Sequence, residues 1–373
     1  MIISIILRKI YRFMADNLYH KPKELIRLLA NKELFVSDSY FHEQNHHSSL
    51  YNYFYQVRQI IKYGKANEFY FMYGLDVKTH SQQREYVNYE CFMKRRDHLN
   101  LSYKHNSSCL LRNKLYYDIF AKSLGIKVPD IIGFSINGKF YCYDDDNHNE
   151  HSIDCLLKKS GSYFCKETNG ECGSGIFNLT VLDDSTFYIN DKKVSKEDIA
   201  ERLLKVDYIV QKRVSQHIQM QELYPLSINT IRLVTVRGLK DNQIHILPSI
   251  LRIGSNGSII DNTSKGGIAI GFDLQTGRLH DDGYMKPRFG RRLQVHPNTG
   301  IKFSDFVIPF IAEAEKEAIR FHSFLKDIHS IGWDIAIGKD GPIFIEGNDN
   351  WEINGPQVGN YGLRKEFKEY FYN

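Results

Sequence analysis

What the 373-residue chain lacks narrows its chemistry before any motif is read. Its six cysteines, Cys91, Cys109, Cys142, Cys155, Cys165 and Cys172, form no C-x-x-C pair and no Cys/His cluster at zinc spacing. The expectation is free thiols in a reducing cytosol. No apolar run approaches the roughly 20 residues a spanning helix needs, and the short apolar opening is followed by charge, not by a small-residue cleavage site. Neither sign of charge dominates. Forty-nine Lys and Arg against 44 Asp and Glu leave +5, which suits polyphosphates or acidic substrates and does not call for nucleic acid. Internal repeats, low-complexity tracts, a nucleophile elbow and an activated-cysteine motif are all missing, so no covalent protein nucleophile is expected.

What is present is an apolar fraction of 42%, enough for a core in more than one lobe. Three stretches are expected: a mostly helical region over 1–105, an α+β lobe over 106–215 and a second over 216–373. In the first, Arg8, Lys9, Arg12, Lys21 and Lys23 alternate with Ile5, Ile6, Ile10, Tyr11 and Phe13. That pattern reads either as a basic helix resting on the anionic inner membrane surface or as a first helix packed on the protein body. Residues 37–106 show helical runs such as "SSLYNYFYQVRQIIKYGKA" and no catalytic motif. A helix ending at Gly125 then gives way to strand alternation from Ile131 to Tyr143. "SYFCKETNGECGSGIFNLTVLDD" reads as strand, glycine loop and strand, and "DYIVQKRV" as a buried strand turning polar. Further strands and a hairpin turning at Gly277 follow. From 306 to 325, Ile308, Ile311, Ala314, Ala318, Phe321 and Leu325 make one apolar helix face that covers the next sheet.

That sheet ends in "DIAIGKDGPIFIEGN", Asp334 to Asn348. If Lys339, Asp340 and Gly341 form a three-residue turn with Gly341 left-handed, Asp334 lies across from Glu346 and Asn348 shares their face. Ile331, Trp333, Ile335, Ile337, Ile343 and Ile345 would make the opposite, apolar face. Two facing carboxylates repel unless a cation lies between them, and two acids with an amide oxygen suit a hard ion such as Mg2+. The competing reading is a solvated sheet face.

The glycine loop of Gly170, Gly173, Ser174 and Gly175 follows Lys166. Consecutive backbone N–H groups there can wrap a phosphate, with the lysine adding a point charge. Its spacing is neither that of a P-loop nor of a dinucleotide fingerprint, and a mobile surface hairpin is the alternative.

Taken in order, these pieces resemble the ATP-grasp superfamily and most closely its sugar-transfer associated group. The resemblance spans roughly 110–357 and is carried by "SINTIRLVTV", "DNTSKGGIAIGFDLQTGRL", "HPNTG" and "IGWDIAIGKDGPIFIEGN". It implies an α+β ATP-grasp fold, with two lobes of antiparallel sheet sandwiching ATP, and cofactors ATP and Mg2+. Lys114 and Lys166 match the phosphate lysines, and Gly170 to Gly175 the loop that closes over them. Gln211, Lys212 and Val214 match the hinge for adenine and ribose, with Gln211 where many members carry an acid. His217 is placed near the ribose, whereas His296 reads as a turn residue. Arg232 matches the arginine that steadies the transferred phosphoryl group, with an ordinary ion pair as its alternative. Arg252 and Lys265 stand among the family's active-site strands, as do Asn262, Gly266 and Gly267. Asp334, Glu346 and Asn348 match the metal ligands. Arg288, Arg291 and Arg292 either hold an acidic acceptor or form a solvated basic loop.

The implied activity is an ATP-dependent carboxylate–amine ligase working through an acyl phosphate, with small-molecule or sugar-linked carboxylate and amine substrates in surface polysaccharide synthesis. A kinase acting on a hydroxyl and a silent nucleotide-binding scaffold are the alternatives.

Overall fold

The computed structural model describes residues 16–36, 40–100, 107–143, 153–170 and 175–372. Two seven-stranded sheets, antiparallel throughout, carry the architecture. The first holds β1 (Ile131–Ile136), β2 (Lys139–Cys142), β3 (Gly161–Glu167), β4 (Phe177–Asp183), β5 (Thr186–Ile189), β6 (Lys192–Val194) and β7 (Tyr208–Lys212), in the order β2-β1-β7-β3-β4-β5-β6. The second holds β8 (Thr230–Arg237), β9 (Ile244–Ile253), β10 (Ile268–Phe272), β11 (Leu279–Tyr284), β12 (Arg292–Leu293), β13 (Ser330–Gly338) and β14 (Gly341–Asn348), in the order β12-β11-β10-β9-β8-β13-β14.

Period-two alternation gives the second sheet two unlike faces. Ile231, Leu233, Leu251, Ile253, Trp333 and Ile335 enter the main apolar core. There they meet Ala314, Ala318 and Phe321 of the helix Ile311–Phe324. Phe321 stacks on Trp333 with ring centroids 4.7 Å apart. The other face carries the polar residues Thr230, Arg232, Arg252 and Asp334, which line a cavity.

The β13–β14 hairpin reaches the expected pairing by a different route. Gly338 pairs with Gly341, so the turn is the two residues Lys339 and Asp340. Gly341 does take a positive φ of 117°. The one-residue difference is made up by a bulge between Asp334 and Ile335, where Ile345 is the extra residue on β14. Asp334 therefore faces Glu346 as the three-residue turn predicts. The bulge also corrects the apolar face: Phe344 enters the core, while Ile345 lines the cavity beside Glu346.

Two of the cysteines read as scattered are brought together. Cys142 at the end of β2 and Cys155 in the helix Asp154–Leu157 form a disulfide with Cα atoms 6.5 Å apart. A reducing compartment would hold the same pair as thiols. Among the described residues Cys91, Cys109 and Cys165 are free. No helix among the described residues is long and apolar enough to cross a membrane. The basic stretch around Arg8, Lys9 and Arg12 lies outside the described residues, and in the helix Lys21–Ala30 Leu28 packs with Ile60.

The helix Tyr89–Asn100 packs on the second lobe. Phe92 is fully buried, edge-on to Trp351 at 4.7 Å and against Phe367 and Phe371. The substitution Phe92→Ala is expected to cost about 3–5 kcal/mol in urea unfolding, and the loss should fall on the whole transition rather than on a separate early phase. Two buried histidines set an acid limit. His322 bridges Thr235 Oγ1 (2.8 Å) and the Ile328 carbonyl (2.9 Å), and His329 meets the Tyr370 carbonyl (3.0 Å). Burial lowers their pKa values from 6.5 to about 3 and about 4. Both rings stay neutral when folded and take up protons when unfolded. Their contribution is thus intact above 6.5 and is lost as pH falls toward 4. Urea midpoints should drop across that window, and less steeply in His322→Gln.

Candidate functional site

The two lysines singled out from the sequence are brought side by side by local structure. Asn113 caps the helix Lys114–Ser123, its Oδ1 accepting from the N–H groups of Leu115 and Tyr116 at 3.1 Å. This sets Lys114 in the first turn, where its backbone N–H donates to the Thr168 carbonyl just beyond β3 (2.9 Å). Its Nζ donates to the Gly170 carbonyl at 2.5 Å. Lys166 lies on β3, buried, with its ammonium 5.2 Å from the Phe164 ring centroid. Burial pulls its pKa down to about 8, against the opposing pull of Glu346. Both lysines line a cavity of about 550 Å³ between the sheets.

The facing wall is built by β8, β9 and β13. Asp334 and Arg232 are directly paired in register, as are Arg252 and Thr230. Arg232 forks onto Asp334, Nε to Oδ1 at 2.5 Å and Nη2 to Oδ2 at 3.0 Å. Arg252 Nη2 reaches Asp334 Oδ2 at 2.9 Å, and its Nε lies 3.6 Å from Asp261 Oδ2. Arg252 also donates to Thr230 Oγ1 at 2.7 and 3.1 Å. Burial alone would raise the pKa of Asp334, but the two guanidinium charges outweigh it and hold the carboxyl well below the usual carboxylate range.

Glu346 is shifted the other way. Withdrawal from water and then the Asp334 charge push its pKa up. Asn348 Nδ2 donates to Glu346 Oε1 at 3.2 Å. A divalent cation fits this donor set, because it would relieve the repulsion that burdens Glu346 and because the donors are hard oxygens. Among the described residues no three His, Cys, Asp or Glu side chains gather as a metal site. A cation held here would need the Asn348 amide oxygen as a third donor, and both Asp334 oxygens are engaged by arginine.

Of the residues singled out from the sequence, Lys114, Lys166, Gly170, Gln211, Lys212, Val214, Arg232, Arg252, Asp334, Glu346 and Asn348 share this cavity. Gly173 and Ser174 lie outside the described residues. Gly175, left-handed with φ 69°, is not part of the cavity lining. Two others are not brought to it. His217 caps the helix Ile218–Leu223, its Nδ1 accepting from the Gln219 N–H at 3.3 Å, and its ring meets Phe310. Lys265 ends a short helical turn, exposed, while its neighbours Asn262, Thr263 and Ser264 line the cavity. His296 is fully buried on the Gly254 carbonyl at 2.9 Å. The basic loop is tied down by Arg288 to the Ser264 carbonyl (2.7 Å) and by Arg292 to Glu43 (2.5 Å), and Lys286 is its member on the cavity.

Two residues lining the cavity, Asp261 and Arg112, and one buried behind it, Tyr117, were not picked out from the sequence. Asp261 lies inside a segment already noted, but nothing in strand alternation marks it. Arg112 forks onto the buried Asp349 at 3.0 and 2.7 Å across 237 residues of sequence. Tyr117 is buried with no hydrogen-bond partner for its hydroxyl among the described residues. Burial and then the charges of Glu346 and Asp334 raise its pKa.

No curated protein matches the chain by sequence. Among solved structures it is similar to an N5-carboxyaminoimidazole synthetase from Staphylococcus aureus complexed with ADP (14% identity, TM-score 0.40, 74% of this chain and 57% of that one). It is also similar to D-alanyl-alanine synthetase A from Vibrio cholerae (13%, 0.36, 70% and 61%) and an L-amino acid ligase from Bacillus licheniformis (12%, 0.37, 70% and 48%). The chain thus spans less than two thirds of the length of each, and likenesses this remote carry no argument about chemistry. The family described as sugar-transfer associated ATP-grasp matches residues 94–370, wider on both sides than the sequence motifs reach. Matched over most of its length, and with two antiparallel sheets facing one lysine- and acid-lined cavity, the chain belongs to the sugar-transfer associated ATP-grasp family.

Proposed function

We propose that the chain is an ATP-dependent carboxylate–amine ligase that works through an acyl phosphate. One observation carries the reading: two lysines, one from the start of the helix Lys114–Ser123 and one from β3 of the first sheet, and an acid pair with its arginines from the second sheet line a single cavity. That arrangement supplies positive charge for phosphates on one wall and oxygen donors for a cation on the other.

In this reading Lys114 and Lys166 hold the ATP phosphates, with the backbone of Gly170 beside them. Gln211, Lys212 and Val214 receive adenine and ribose. Arg232 and Arg252, fixed by Asp334, face the transferred phosphoryl group. Glu346 and Asn348, with Asp334, would hold Mg2+, which when bound neutralises charge on the phosphates. A carboxylate oxygen of the acceptor attacks the γ-phosphorus and ADP leaves. An amine then attacks the acyl carbon, inorganic phosphate departs with the acyl C–O bond electrons, and the amine loses a proton. The chain's own groups position and neutralise; none becomes covalently bonded. The family's association with sugar transfer directs the acceptor toward a sugar-linked carboxylate in surface polysaccharide chemistry. His217 and Lys265, away from the cavity, have no part in this mechanism.

The test is ADP release from ATP and Mg2+ with a panel of sugar acids, with and without primary amines. Release that requires the amine supports the ligase, release without it indicates a kinase, and none with any pair indicates a scaffold. Where turnover is found, Glu346→Gln is expected to lower kcat by about 100-fold or more while ADP affinity changes little. Lys166→Met should weaken ADP binding by about 10-fold or more, read by calorimetry.

A further inference from the structure

Beyond the groups assigned to nucleotide and metal, the cavity is lined by a buried carboxylate with one oxygen unpaired among the described residues. Asp261 is only 8% exposed and lines the cavity. Its Oδ2 is fully used: it accepts from the Thr230 N–H at 3.1 Å and from the Thr230 hydroxyl, and Arg252 stands 3.6 Å away. Its Oδ1 takes no hydrogen bond or ion pair from any described residue. It is also not among the oxygens sealed from solvent without a partner.

The carboxylate is not on a loose loop. Asn262 Oδ1 accepts from the N–H and the hydroxyl of Ser264, both at 2.9 Å, and Arg288 grips the Ser264 carbonyl. The backbone of Gly267 passes so near that an added Cβ would meet the Asp261 carbonyl oxygen at 2.1 Å. Such fixing is what a binding group needs in order to hold a ligand without first being ordered. The same cavity is lined by Ile250, Ile259 and Ile260 and by the polar Thr230, Arg252, Asn262, Thr263 and Ser264. A carboxylate this buried, with one oxygen unpaired, is costly until a cation or strong donor reaches it. Arg252 does not fill that need, because its closer ion pair, at 2.9 Å, is with Asp334. Consistent with an under-compensated charge, the pKa of Asp261 is raised, by burial first and against the pull of Arg252.

We propose that Asp261 Oδ1 is the binding point for the amine co-substrate, taken up as a primary ammonium. This rests on the ligase reading for its role but not for its existence. Arg252 stands between Asp261 and Asp334, so the ammonium would sit on the far side of that guanidinium from the acid pair that receives the cation.

Ligand-observed NMR on the full chain, with and without MgADP, tests this using ethanolamine, glycinamide and glucosamine against ethylene glycol and glucose. The amines are expected to bind and their neutral counterparts not to. Asp261→Asn should weaken amine binding by about 10-fold or more, as expected for losing a charged hydrogen bond, and leave ADP affinity within about two-fold. Amine binding that is equal in D261N overturns the proposal, as does preference for the hydroxyl compounds or displacement of bound amine by Mg2+ alone. Should D261N fail to fold, wild-type crystals soaked in glucosamine decide: an amino group within hydrogen-bond distance of Asp261 supports the site, and its placement elsewhere overturns it. Amine binding lost in D261N supports the site whether or not ADP binds, whereas failure of ADP to bind counts against the ligase reading alone.

Discussion

A carboxylate set among buried strands persists only if its charge is answered, and Asp334 is answered twice. Arg232 stands opposite it on β8, and Arg252 comes from β9, one strand further on. Each Asp334 oxygen accepts from a guanidinium, and removing one member of such a buried set costs roughly 3–5 kcal/mol by leaving charge unpaired. The arrangement fixes three neighbouring strands in one register, because a one-residue slip would send these side chains into the apolar core. Both wall arginines are thereby held without help from a ligand. Glu346 has no arginine partner among the described residues, and burial with the Asp334 charge raises its pKa against the weaker pull of Lys114 and Lys166.

The same alternation that makes the wall polar makes its reverse apolar. Trp333 lies one residue before Asp334 and stacks on Phe321 on the opposite side of the sheet. Its indole N–H donates to Thr235 Oγ1 at 2.8 Å, which His322 also reaches. The core and the polar wall of the cavity are therefore built from consecutive residues of one strand, and stability and site geometry cannot be varied independently there.

Much of this was readable before the structure because it is local. The apolar face from Ile311 to Phe321 repeats at helical spacing, and the Asp334–Glu346 pairing follows from a short glycine turn. That second inference held only because two departures cancel: the turn is a residue shorter than expected and the bulge at Ile345 restores the count. Bulges are set by packing on both sheet faces, here Phe344 inward and Ile345 toward the cavity, and alternation alone does not announce them. Contacts between distant segments were not legible for a more general reason. Asp261 receives Thr230 from 31 residues away, and Arg112 reaches Asp349 across 237. The closure of Cys142 on Cys155 depends on how β2 meets a short helix, not on cysteine spacing. His217 and Lys265 were drawn toward the site by neighbouring motifs, yet the first is turned aside by capping and the second by exposure.

The helical segments before the first sheet take on a definite place when the residues after Asn348 are followed. Asp349 is held by Arg112 through its side chain and by Asn100 through its carbonyl at 2.7 Å. Arg96 donates to the Trp351 carbonyl, Tyr89 to Glu352 at 3.1 Å, and Tyr73 to Asn354 at 2.7 Å. Gln357 Oε1 accepts from the Val87 N–H at 2.7 Å, and its Nε2 donates to the Val87 carbonyl at 3.1 Å. This loop directly continues the strand that carries Glu346 and Asn348, and Asp349, Trp351 and Glu352 line the cavity. A loop with so many of its residues gripped by side chains from one region has little freedom of its own. Its shape, and with it one wall of the cavity, is set by residues 73 to 112 rather than by the sheet it leaves. Those helices are thus part of the site's construction, although not one of the motifs that mark the site lies within residues 73 to 100.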